Sequence, residues 1–145
     1  MLLVHGTCVA IDEFGVLIIG PPGSGKSDLA LRLVDLGARL VADDYLYVEA
    51  SGQELLATVP DTIAGMMEVR GLGIVTLPYL DTCRVGLCVE LVEPARVPRL
   101  PKSGRLTTFE NLDIPSFELS PFEASAAAKV KLAVRAVRDG IVLTE

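Results

Sequence analysis

Gly20-Pro21-Pro22-Gly23-Ser24-Gly25-Lys26-Ser27 fits the pattern of Gly, four free positions, Gly-Lys and then Ser or Thr. Such a stretch is a phosphate-binding loop when a buried strand enters it and a helix leaves it. Both flanks have the required character. The apolar run Val16-Leu17-Ile18-Ile19 reads as a buried parallel strand, and residues 28–36, with Leu29, Leu33 and Leu36 on one face, read as a helix. Gly20, Gly23 and Gly25 can take backbone angles closed to other residues, so consecutive N–H groups curl around phosphate oxygens at the positive end of that helix. Lys26 then reaches the outer phosphates and Ser27 a magnesium ion, which points to a nucleoside triphosphate or a related polyphosphate.

On the N-terminal side, residues 1–11 are β-branched and apolar enough for a strand carrying His5-Gly6, and residues 12–15 supply a turn, so a β-hairpin opens the fold. After the loop, Asp28 suits the first turn of the helix and Gly37 its stop. Residues 39–42 form a short buried strand ending in Asp43-Asp44. Strand, helix and strand predict a crossover unit of parallel type, which lands both aspartates beside the phosphate loop. Two adjacent acids point in different directions, so one can serve a metal and the other a nucleophile; a helix cap or a solvated turn is the alternative.

Residues 45–49 and 54–59 read as two strands joined by Ser51-Gly52, and Glu68-Val69-Arg70-Gly71-Leu72-Gly73 reads as a charged, glycine-rich loop before a strand at 74–77. A further strand covers 84–92. Pro94, Pro98 and Pro101 among Arg96, Arg99, Lys102 and Arg105 make residues 94–105 a basic, irregular loop. Short strands follow at 107–109 and 114–119, and the alanine-rich pattern of 123–137 predicts the final helix.

The 145 residues suit one domain spanning 1–145. Half the residues are hydrophobic and mean hydropathy is +0.47, yet every apolar run is interrupted before membrane-spanning length. With no cleavable signal at the start, a cytoplasmic location without membrane association is expected. The formal charge of −6 argues against a broad nucleic-acid surface. Cys8, Cys83 and Cys88 lack metal-ligand spacing and read as reduced, mostly buried thiols.

Several separated pieces together resemble the catalytic domain of the bacterial HPr kinase/phosphorylase family: His5-Gly6, the loop from Gly20 to Ser27, Val41-Ala42-Asp43-Asp44, and Glu68-Val69-Arg70-Gly71-Leu72-Gly73-Ile74. Order and spacing match over residues 1–80, and the chain looks like a short form without the N-terminal domain of longer members. The resemblance implies an α/β fold with a twisted β core around the phosphate loop, one helix after the loop and another at the C-terminus, similar also to PEP carboxykinase. It implies phosphorylation of a serine of the phosphocarrier HPr, or an HPr-like protein, with ATP or pyrophosphate as donor. It further implies reversal by inorganic phosphate, and a homo-oligomer, commonly hexameric in longer members. Carried over, Gly20 to Lys26 hold phosphates, Ser27, Asp44 and Glu68 serve magnesium, and Asp43 is the acid-base residue. His5 stands near the phosphate site, and a hydrogen-bonded core histidine is its other reading. Arg70 steadies its loop, contacts the partner or forms a surface salt bridge. Arg99-Leu100 best matches the family's dephosphorylation arginine, but Pro98 and Pro101 bracket it, which leaves reversal less secure than kinase activity. A small-metabolite kinase would share the loop and carboxylates but need an enclosing lid. A nucleotide-sensing module would need the loop and not Asp43, Asp44 and Glu68.

Overall fold

The computed structural model describes residues 1–101 and 104–140; Lys102 lies outside them. The strands are β1 (Leu2–His5), β2 (Thr7–Ile11), β3 (Phe14–Ile19), β4 (Arg39–Ala42), β5 (Tyr45–Ser51), β6 (Glu54–Thr58), β7 (Met66–Val69), β8 (Gly73–Thr76), β9 (Thr82–Leu91), β10 (Leu106–Phe109) and β11 (Leu112–Leu119). The helices are α1 (Lys26–Asp35) and α2 (Ala126–Asp139). The predicted α/β class, with a strand-rich core and these two helices, is what forms.

One sheet carries the path β1-β5-β6-β9-β3-β2-β4, and β11 adds to β9 in parallel, with β10 on its far side. Only Gly6 separates β1 from β2, and only Asp43-Asp44 separates β4 from β5. The two ends of the path are therefore the two halves of one antiparallel ribbon, and the sheet curls back on itself. At the joint Gly6 N–H donates to the Asp44 carbonyl (3.1 Å). A Cβ on Gly6 would stand 2.9 Å from the Ile18 carbonyl oxygen, so only glycine lets the ribbon cross over β3.

The period-2 alternation of the strands fills two cores. Cys8, Leu17, Val41, Leu46 and Val85 pack inside the curled sheet, whereas Val9, Val16, Ile18, Leu40 and Leu87 face the helices and meet Leu29, Leu33, Val130 and Val134. Asp12 and Glu13, both at positive φ, make the tight turn between β2 and β3. Helix α1 ends on a Schellman pair, Gly37 N–H to the Val34 carbonyl and Ala38 N–H to the Leu33 carbonyl, each 3.0 Å.

Two expectations change. Strands β3 and β4 do run in the same direction around α1, but β2 lies between them, antiparallel to both, because the first strand of the opening hairpin takes β4 on its free edge. Glu68 is not in a loop: it stands on β7, which pairs with β8 as a separate two-stranded sheet, leaving Arg70 to Leu72 as the turn. Met67 fixes this hairpin by inserting its side chain into the helix-facing core.

Candidate active site

In the loop between β3 and α1 two of the three glycines take the expected left-handed backbone, Gly23 at φ 77° and Gly25, the residue before the helix, at φ 100°. Gly20 does not, and is needed instead because a Cβ there would stand 2.6 Å from Ser24 Oγ. At that point the first N–H groups of α1 have no partner within the helix and face the loop. Lys26 Nζ donates to the carbonyls of Gly20 (2.8 Å) and Pro21 (3.1 Å), which leaves one of its three hydrogens for a phosphate oxygen. Ser24 Oγ is buried and has no hydrogen-bond partner among the described residues, a loop hydroxyl that a phosphate oxygen would satisfy.

Asp43 stands at the carboxyl end of β4, where the ribbon changes direction, and is only 6% exposed. Its Oδ1 accepts the Ser27 hydroxyl (2.7 Å) and the Thr7 hydroxyl (3.0 Å). Both donors fall on one oxygen, so Oδ2 is the atom available for a further proton transfer. The Thr7 contact has no counterpart in the motif reading. Its sequence signal was a hydroxyl between Gly6 and an apolar run, a position that becomes fully buried once β2 lies inside the sheet.

The other expected site residues lie around this centre at different depths. Asp44 is exposed, at φ 78°, and meets the ribbon through its backbone carbonyl. His5 is exposed at the end of β1, paired in register with Tyr45. Glu68 is exposed on β7, and among the described residues no three His, Cys, Asp or Glu side chains gather as a metal cluster. The oxygen donors beside the loop nonetheless suit magnesium, which takes a hydroxyl and one or two carboxylates and leaves most positions to water and phosphate. Ser27 and Asp44 are the residues that would hold it, with Asp43 behind them accepting the Ser27 hydroxyl.

On the opposite side of the loop lies an open cleft of about 520 Å³, lined in part by Pro21, Ser24, Glu93, Arg96 and Phe122. The arginine on its wall is Arg96, loosely paired with Glu118 (3.6 Å), whereas Arg99 is exposed in the irregular segment beyond. Arg32 of α1 fastens the far wall. Its guanidinium donates to the carbonyls of Pro121 and of Glu123 (the latter 3.4 Å) and pairs with Asp28 (3.1 Å). The clamped turn presses on the loop, since a Cβ on Gly25 would lie 3.2 Å from both the Phe122 ring and Pro121 Cγ.

The family model of the HPr serine kinase C-terminal domain matches residues 1–139. The chain belongs to that family. HPr kinase/phosphorylase of Halalkalibacterium halodurans is 39% identical over 127 residues, 80% of this chain and 41% of the relative. That of Clostridium tetani is 44% identical over 95 residues, 61% of this chain and 31% of the relative. The chain thus spans less than half the length of these HPr kinase/phosphorylases. The Hpr(Ser) kinase/phosphatase structure from Coxiella burnetii superposes with a TM-score of 0.85 at 26% identity, covering 97% of this chain and 98% of that one. No helix among the described residues of this family member is long and apolar enough to cross a membrane.

Proposed function

We propose that the chain transfers the terminal phosphoryl group of ATP to a serine hydroxyl of the phosphocarrier protein HPr or of an HPr-like protein, with magnesium. The observation that supports this most is the buried Asp43 carboxylate, bonded to the hydroxyl of the phosphate-loop Ser27 in a chain of this family. The loop N–H groups and the third hydrogen of Lys26 hold the phosphates; magnesium held by Ser27 and Asp44 would neutralise charge on the phosphate oxygens.

In the forward direction the serine oxygen bonds to the γ-phosphorus, the bond from that phosphorus to the ADP oxygen breaks, and the serine proton passes to Asp43 Oδ2. Run backward with inorganic phosphate, the incoming oxygen attacks phosphoserine, pyrophosphate forms, and Asp43 returns the proton to the departing serine. Pyrophosphate could then serve as a forward donor. Thr7 keeps Oδ1 occupied, which fixes the carboxylate for either role. His5, Glu68 and Arg99 belong to the rim in this reading, where the acceptor protein, a metal-bound water or the attacking phosphate would meet them. A cytoplasmic homo-oligomer built from one 1–145 domain fits the same reading.

The test is transfer of labelled phosphate from ATP to HPr-like proteins of the same cell, beside an acceptor whose serine is replaced by alanine. Stoichiometric, serine-dependent labelling is expected, and added phosphate should remove the label as pyrophosphate. Magnesium-dependent ATP binding with no labelling of any such acceptor would overturn the kinase reading in favour of a nucleotide sensor.

A further inference from the structure

We propose that the cleft beside the phosphate loop receives the adenine nucleoside of the donor, with Phe122 as the surface on which the base stacks. This rests on the phosphate-donor reading of the loop and adds to it the substrate's other half.

Direction comes first from the chemistry. In phosphoryl transfer the attacking and leaving oxygens lie on opposite sides of the phosphorus. Asp43 comes from β4, which lies beyond β2 on one side of β3. The cleft lies on the other side of β3, past the carboxyl ends of the parallel strands β9 and β11, and Lys26, Ser27 and Asp43 are not among its lining residues. A nucleophile activated at Asp43 therefore drives the leaving group toward the cleft, and the leaving group of ATP carries the nucleoside. Ligands of open α/β sheets also settle outside the carboxyl ends of parallel strands.

The lining agrees with that occupant. Of the four phenylalanines, Phe122 alone is exposed, with 72% of its surface open. It is nevertheless held in place: Arg32 fastens the carbonyls on either side of it, and its ring lies against Gly25. Pro21, Pro22, Pro94 and Pro121 add rigid apolar walls that bring no backbone N–H groups. Glu93, for which no side-chain partner is found among the described residues, adds a hydrogen-bond acceptor that suits the amino group of adenine. A volume of about 520 Å³ is within the range of small-ligand sites. Because the Phe122 ring stands in the space a Gly25 side chain would take, a base stacked on it also backs the loop that holds the phosphates.

The experiment compares the magnesium-dependent affinities of ATP and inorganic tripolyphosphate for the wild-type chain, Phe122→Ala and Phe122→Tyr. Taking the ratio of the two affinities removes any loosening of Gly25, which would weaken both ligands alike. The ratio should fall about tenfold in Phe122→Ala, the loss of one aromatic stacking partner, and return in Phe122→Tyr. An unchanged ratio overturns the proposal, and if the same variant instead weakens capture of the acceptor protein, the cleft belongs to the acceptor. A wild-type chain that binds tripolyphosphate as tightly as ATP overturns it too, while the phosphate-loop reading stands. Binding of neither ligand removes both.

Discussion

The two sides of the phosphate loop are built by different means. On the Asp43 side, three residues from β2, the end of β4 and the start of α1 meet through two hydrogen bonds, and Thr7 and Asp43 are buried. On the cleft side, a turn from near the C-terminus is fastened to α1 by one arginine, and the exposed Arg96 reaches Glu118 only loosely. In the proposed reading the chemistry, whose geometry tolerates little displacement, falls where strands on both sides fix the backbone. A binding surface can be looser, because contacts spread over a flat base tolerate small shifts.

The largest expected effects fall on the first side. Lys26→Ala should lower kcat/KM for ATP by roughly 10³-fold or more, through loss of charge at the transferred phosphoryl group. Asp43→Asn should lower kcat by roughly 10²–10⁴-fold while ATP affinity changes little, since the proton acceptor goes and the loop remains. Paired steady-state and binding measurements separate the two, and near-normal turnover in Asp43→Asn would remove Asp43 from the chemistry. Thr7→Val keeps the shape of a fully buried side chain and deletes its hydroxyl. It should lower kcat with KM little changed and cost about 1 kcal/mol of stability in a denaturant titration, the usual net worth of one hydrogen bond.

Arg32→Met tests the second side with a smaller effect. Its aliphatic stem still packs, but the two carbonyl contacts and the Asp28 pair are lost. KM for ATP should rise several-fold with kcat nearly constant, since the turn bearing Phe122 is released and Asp43 is untouched. A fall in kcat equal to that of Thr7→Val would show that the two sides act as one unit, contrary to their separate anchoring.

How far the sequence disclosed each side follows the same division. The strand, loop and helix, and the placement of Asp43 beside Ser27, were legible because the motif pattern fixes residue types at fixed spacing within a single strand-loop-helix unit. Thr7 was hidden because its role depends on β2 inserting between β3 and β4, a pairing settled by the whole sheet. Gly71 and Gly73 dominate the local pattern and make the stretch around Glu68 read as a loop, while the anchor that makes a hairpin there is Met67 and its distant core partners. On the cleft side, Arg32 and Pro121 are 89 positions apart in the chain and meet through a backbone carbonyl, a contact that leaves no pattern in side chains. Arg96 and Arg99 likewise share one basic segment, and only the short 3-10 turn over Pro94–Arg96 brings the first of them to the cleft.

The smallest effect reads both sides through the core beneath them. Cys8 of β2 and Cys88 of β9 occupy neighbouring rows across Leu17, on the face inside the curled sheet. Burial pushes the Cys88 thiol up to about 12 and holds Cys8 well above 9.0, the ordinary value. Each thiol is raised in the folded state, so below about pH 9 its contribution to stability is fully present. As pH climbs from there toward 12 the unfolded chain releases these protons first, and stability falls. Unfolding titrations across that window should show the decline, and Cys88→Ala should flatten it. Thiol labelling near pH 8 then distinguishes the two sides, because each cysteine reacts only when the structure over it opens. The loosely anchored side predicts faster labelling of Cys88 than of Cys8; equal rates would mean that the sheet opens as a single cooperative unit and that the contrast ends at the surface.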